Sequence, residues 1–349
     1  MIREKTRPRS FPATAILVFL VLAAPSASRA QALDGRWILD FDREDGRVQL
    51  TIKRSSARGN WNSSSGYEMQ EFRGLSRPSG SAGKPARFEL VRDAGTIRFE
   101  GELDEMGGSG RFQFAANPEF ERAWTAMGYS ALGTDSVFAF TLHDVSRRFI
   151  EDLRSLGYEH LPGERLIAMR IHGATPEFIR ELKALGYDRL PAQDLVTMRI
   201  HGASPEFVRE MKSLGYDRLP AQELVNMRIH GASPEFVREM KSLGYDRLPV
   251  DGLVNMRIHG ASPEFVREMK ALGYERVPVE ELVTMRIHGV SPEYVRQLQA
   301  LGFKRVPVDE LVSMRIHGVS IEFARSMKER YADVTVDELV NMRIHGRSR

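Results

Sequence analysis

The sequence predicts an α+β fold: a small antiparallel β sheet, roll or partial barrel, followed by an α-solenoid of about eight αα-hairpin repeats. Two observations predict it. The pentapeptide Met-Arg-Ile-His-Gly occurs seven times, with histidines at His172, His201, His230, His259, His288, His317 and His345. The step is 29 residues, except the last, which is 28. A fixed period of this size marks stacked units that share one continuous core. Ahead of the repeats, apolar and polar residues alternate between residue 33 and about residue 114. Period two is the pattern of strands with one dry face.

Residues 1–30 read as a secretory signal peptide. Arg3, Lys5, Arg7 and Arg9 precede an apolar run from about Ala13 to Ala24, and Ser28-Arg29-Ala30 or Ala30-Gln31-Ala32 offers small residues for cleavage. The run is shorter than the roughly 20 residues a membrane span needs; an uncleaved anchor is the alternative. The whole chain has 50 basic and 47 acidic residues, net +3. Residues 1–30 hold five of the basic and one of the acidic, leaving 45 against 46. The mature chain is therefore near neutral, without the basic footprint of a nucleic-acid binder. There is no cysteine, so an exported fold must be held by packing alone.

The β domain is expected over 31–115. Trp37, Leu39 and Phe41 alternate with polar neighbours; Val48, Leu50 and Ile52 do the same. Phe88 and Leu90, Ile97 and Phe99, and Phe112 and Phe114 continue the pattern, giving five to seven strands. Asp45-Gly46, Asp93-Ala94-Gly95 and Gly107-Gly108-Ser109-Gly110 carry turn chemistry, and Ser76 to Lys84 reads as a loop. Asn62-Ser63-Ser64 fits a glycosylation acceptor.

The array is expected over 116–349. In one unit, Ser204-Pro205-Glu206 is a helix start, with an N-cap serine, proline at the first helical position and an acid by the positive helix end. Phe207, Val208, Met211 and Leu214 form one apolar stripe, and Gly215 stops the helix. A second helix is expected from about Pro220 to His230, stopped by Gly231. First helices start near Asn117, Ser146, Thr175, Ser204, Ser233, Ser262, Ser291 and Ser320, eight in all. The outer units diverge, with Ile321 in place of proline and Arg330-Tyr331 in place of Gly-Tyr, as capping requires. Units 204–232 and 233–261 differ at three positions only, a sign of recent duplication.

On a helical wheel of the second helix, Leu224, Val225, Met227 and Ile229 define the apolar sector, and Arg228 falls within it. Glu223, Asn226 and His230 fall on the wet side. Arg170, Arg199, Arg228, Arg257, Arg286, Arg315 and Arg343 thus form a ladder expected to face the core and clamp neighbouring units. A buried guanidinium needs acceptors, either free carbonyls at a neighbouring helix end or carboxylates of the Asp217 type. The histidines sit in the last turn before a C-cap glycine, where they favour the helix dipole. Zinc needs imidazole nitrogens at about 2.0–2.1 Å, and one histidine per unit at about 10 Å spacing does not supply that, so no metal is expected. A pH response is an alternative use of the row: protonation would make a neutral unit positive and strengthen its helix end at low pH.

No HExxH, phosphate loop, G-x-S-x-G or cysteine nucleophile occurs, and no cofactor is implied. Asp34, Asp40, Asp42, Glu44 and Asp45 cluster near the first strand and read as a solvated edge or turn. The second-helix positions that vary between units are the contact candidates: Ala168, Thr197, Asn226, Asn255, Thr284, Ser313 and Asn341, with Arg165, Asp194, Glu223, Gly252, Glu281, Glu310 and Glu338.

The unit Met-Arg-Ile-His-Gly-Val/Ala-Ser/Thr-Pro-Glu-Phe, followed by Leu-Gly-Tyr, is similar to tandem units of bacterial exported proteins. It also resembles the extracytoplasmic tail of some BlaR1-type (M56) metallopeptidase sensors, over about Asn117 to Gly346. The segment Asp93 to Gly101 with Asn117-Pro118-Glu119-Phe120 resembles what precedes those repeats. The peptidase part is absent here, so the resemblance implies a sensory or partner-binding role without proteolysis. The expectation is an exported, periplasmic or extracellular, non-enzymatic scaffold that binds protein or an envelope component. Its rivals are a β domain enclosing a small apolar ligand among Trp37, Phe41, Phe88 and Phe99, and an enzyme with an unfamiliar site.

Overall fold

The computed structural model describes residues 33–42, 46–56 and 59–346. The expected export segment lies outside them, as do Glu44 and Asp45 of the acidic cluster. The chain divides into two compact units: Met1–Val91 with Thr96–Ala115, and Arg92–Gly95 with Ala116–Arg349.

The first unit is a seven-stranded antiparallel sheet curled into a half-barrel. Its strands are β1 (Leu33–Phe41), β2 (Arg47–Ser56), β3 (Gly59–Glu68), β4 (Phe72–Arg73), β5 (Lys84–Val91), β6 (Gly95–Leu103) and β7 (Gly107–Ala116), in the order β3-β2-β1-β7-β6-β5-β4. The alternation does what the period requires: Trp37, Leu39, Val48, Leu50, Ile52, Phe88, Leu90, Ile97, Phe99 and Phe112 are all buried. The Trp37 indole N–H donates to the carbonyls of Glu100 and Arg111 at 3.2 and 3.0 Å, so its one polar atom is satisfied inside the core.

The rings of Trp37, Phe88 and Phe99 pack on one another. Phe88 and Phe99 stack at 4.7 Å, and Trp37 meets Phe88 edge-on at 5.2 Å.

One strand reading needs correction. Gly107 to Gly110 is not a turn but the first half of β7, paired with β1 from Asp40↔Gly107 to Trp37↔Gly110. The glycines serve close approach: a Cβ at Gly108 would stand 1.9 Å from the Glu102 carbonyl oxygen. The turn lies just before, where the Asp104 carboxylate accepts from the amides of Met106 and Gly107 at 2.7 and 3.0 Å. Polar β3 carries no alternation signal, yet it pairs with β2 from Arg47↔Glu68 to Ser56↔Gly59. As an edge strand it follows its neighbour's free backbone groups rather than its own side chains.

Among the described residues the second unit holds sixteen helices of nine or ten residues. In the unit beginning at Ser204, the first helix spans Pro205–Ser213 and the second Ala221–Ile229. The Ser204 hydroxyl accepts from the Phe207 amide at 3.3 Å. After the first helix Gly215 takes φ +95°, and the Tyr216 amide returns to the Met211 carbonyl at 3.0 Å, closing a Schellman motif. First helices lie beside first helices, and second beside second, through all successive units. Nine-residue helices are too short to persist alone; the shared core of Phe207, Val208, Met211, Leu224 and Met227, all buried, holds them. The last unit replaces the inner prolines: Thr335 caps the final helix, Val336–His345, in a capping box with Glu338.

Candidate functional site

Three rows of polar side chains stitch each unit to the next, and they settle which groups are spent on structure. Lys183, Lys212, Lys241 and Lys270 each donate to a leucine carbonyl 27 residues earlier, at 2.8 to 3.1 Å. In the next unit Gln299 does the same toward Leu272 at 2.9 Å. These carbonyls belong to the C-cap leucines of the preceding first helices, so the rows satisfy acceptors that a helix end leaves free. Tyr158, Tyr187, Tyr216, Tyr245 and Tyr274 donate their hydroxyls to carbonyls 32 residues ahead, at 2.7 or 2.8 Å. Burial pushes these phenols above their ordinary range, Tyr274 to about 12. Between the rows run shallow surface grooves, such as one of about 820 Å³ at Leu243, Tyr245, Lys270 and Pro278.

The arginine ladder is the third row. Arg199, Arg228, Arg257 and Arg286 each lay the guanidinium over a phenylalanine 21 residues earlier, at 5.1 to 5.2 Å from the ring centre. Arg170 does so over Phe149, Arg315 over Tyr294 and Arg343 over Phe323. Arg170 and Arg199 also donate to the carbonyls of His143 and His172, at 3.1 and 3.3 Å. The arginines do not face the core as the wheel implied. Arg199, Arg228, Arg257, Arg315 and Arg343 are exposed, and Arg170 and Arg286 half-buried. Each lies in the last turn, beyond the buried Leu-Val-Met segment, and its long side chain lies flat over the neighbouring ring. Asp217 is exposed and has no ladder arginine as partner among the described residues.

The wheel also misplaced the isoleucine. Ile171, Ile200, Ile229, Ile258, Ile287, Ile316 and Ile344 are 48 to 55% exposed. Among the described residues the only other exposed large apolar side chains are Trp61, Val91 and Met106. The sequence did hold a signal: Met227 and Ile229 are two residues apart, about 200° round a helix, so one stripe cannot cover both. Met227 is fully buried; the isoleucine takes the wet side.

Beside six of the seven isoleucines, three and seven residues back on the same helix face, stand a small polar residue and a polar or acidic one; beside Ile171 these positions hold Ala168 and Glu164. In the Ser204 unit these are half-buried Asn226 and exposed Gln222. Thr197, Thr284 and Ser313 are half-buried, and Asn255 and Asn341 exposed. The threonines turn their hydroxyls back to the carbonyls of Gln193 and Glu280 at 3.0 and 2.8 Å. His230 is half-buried; His172, His201, His259, His288, His317 and His345 are exposed beside the row. With helices about 8–10 Å apart, the seven isoleucines form a line roughly 50–60 Å long, flanked by arginine and histidine at the helix C-termini and by acids at the N-termini.

Among the described residues no group of three or more His, Cys, Asp or Glu is placed to hold a metal ion. No protein-family model and no curated protein matches the chain.

Proposed function

We propose that this protein is an exported, non-enzymatic scaffold that binds a protein or envelope component along the outer face of its second helices. The observation that supports it is the line of seven half-exposed isoleucines. Burying the exposed half of one such side chain contributes roughly 1 kcal/mol. Several engaged together suffice for a stable complex, and rows of apolar anchors with polar rims are how interaction faces are built. The flanking arginines and acids set register and exclude wrong partners. The likeness of the unit to extracytoplasmic tails of BlaR1-type sensors supports a sensory or regulatory partner. Export is part of the same proposal and rests on the first thirty residues.

The test is capture from envelope extract by the full chain and by a variant carrying Ile200→Ser, Ile229→Ser, Ile258→Ser and Ile287→Ser. The variant should keep its helical circular dichroism and melting temperature and lose the captured proteins. Unchanged capture would remove the second-helix face as the binding surface.

A further inference from the structure

On the outer face of β1, Arg36 stands opposite Lys53 of β2 and, on its other side, opposite Arg111 of β7. Three exposed cations therefore lie abreast on three neighbouring strands. At about 4.8 Å per strand the row is about 10 Å wide. Like charges directly opposite one another destabilise a sheet, and elsewhere this sheet avoids the arrangement. Arg47 pairs with Glu68 at 3.3 Å, Arg87 with Glu100 at 3.3 Å and Arg98 with Glu89 at 2.9 Å. Among the described residues Arg36, Lys53 and Arg111 have no ion-pair partner.

The three line one surface groove of about 710 Å³, whose floor along β7 is the small Gly108-Ser109-Gly110. Acids do not neutralise the row. Asp34, two residues from Arg36 on the same strand face, sets one charge against three. Asp40 and Asp104 lie at the far end of the groove. Asp40 is four residues from Arg36, about 13 Å along the strand and beyond the Debye length of about 10 Å at 0.1 M salt. Asp104 is engaged by its own turn amides. On β6 Glu100 is held by Arg87.

We infer that this row is a binding site for a phosphate-bearing anion. Two arginine forks match phosphate oxygens bidentately, the lysine adds a point charge, and the width suits a diphosphate or closely spaced phosphates. The like-charge strain in the free protein is relieved when the anion binds.

Thermal melting with inorganic pyrophosphate, against sodium chloride of equal ionic strength, tests it. Pyrophosphate should raise the melting temperature of the wild type above the chloride control. Arg36→Gln should melt at the same or a higher temperature without anion, show no pyrophosphate-specific rise, and bind pyrophosphate about fivefold more weakly in calorimetry. Arg73→Gln, on β4 away from the row, should respond like the wild type. Co-sedimentation with phosphatidylglycerol but not phosphatidylcholine vesicles, lost in Arg36→Gln, would assign the phosphate to a lipid headgroup. A pyrophosphate response without vesicle binding would assign it to a soluble phosphate. An equal pyrophosphate response in Arg36→Gln, or a wild-type response that chloride matches, overturns the site.

Discussion

The two helices of each repeat solve the same packing problem in opposite ways. First helices bury Phe207, Val208 and Met211 on one stripe and give water a face of charges. That face is cross-linked between units: Arg238 pairs with Glu210 of the unit before and with Glu235 of its own helix, and Arg267 pairs with Glu239 at 3.2 Å. Second helices bury Leu224, Val225 and Met227 and give water Ile229. Solvent-side charges on the first helices such as Arg238 and Arg267 already have partners; the apolar residue on the second has none. The difference teaches where this array holds itself together and where it has contact surface to spare.

The comparison breaks most readily at its apolar residues. Phe207→Ala removes a buried ring that is also the platform of Arg228, and should cost about 3–5 kcal/mol in urea denaturation. Ile229→Ala should stay within about 0.5 kcal/mol, as for an exposed site. Comparable losses would make the isoleucine a structural residue and end the contrast. Tyr216→Phe tests the stitching between units: losing the bond to the Leu248 carbonyl, 2.8 Å in the structure, should cost about 1 kcal/mol.

A pH titration sharpens the same point. Burial raises Tyr274 from 10.0 to about 12. The unfolded phenol therefore ionises first, so its contribution is complete below pH 10 and is lost as pH rises toward 12. Wild-type melting temperature should fall more steeply than that of Tyr274→Phe across this window. Equal slopes would show that the hydroxyl is not held in the folded array. The smallest effect belongs to the first-helix charges: Arg238→Gln should barely move the melting temperature, and any shift should vanish in high salt.

Legibility followed the same division. First helices were readable residue by residue, because Ser204-Pro205 at one end, Gly215 at the other and one clean stripe between them act locally. The second helix carried apolar residues nearly all round, and the wheel averaged Ile229 into the core. The lysine and tyrosine rows left no sequence trace, because their acceptors are backbone carbonyls 27 or 32 residues away, which every residue possesses. In the sheet, Gly107 to Gly110 resembled a turn because glycine's freedom and glycine's smallness look alike in one dimension, and only the Glu102 carbonyl beside Gly108 distinguishes them.

By itself the sequence determined the period, the number of paired helices, their caps and the alternating strands of the sheet. These depend on chemistry between residues a few positions apart. Tertiary structure decided which side of the second helix stays dry, and which residues of distant strands stand abreast. A helical repeat sets angles between side chains, but the neighbouring helix sets where the angle is counted from. Strand alternation chooses a face, and the pairing register alone brings Lys53, Arg36 and Arg111 into one row.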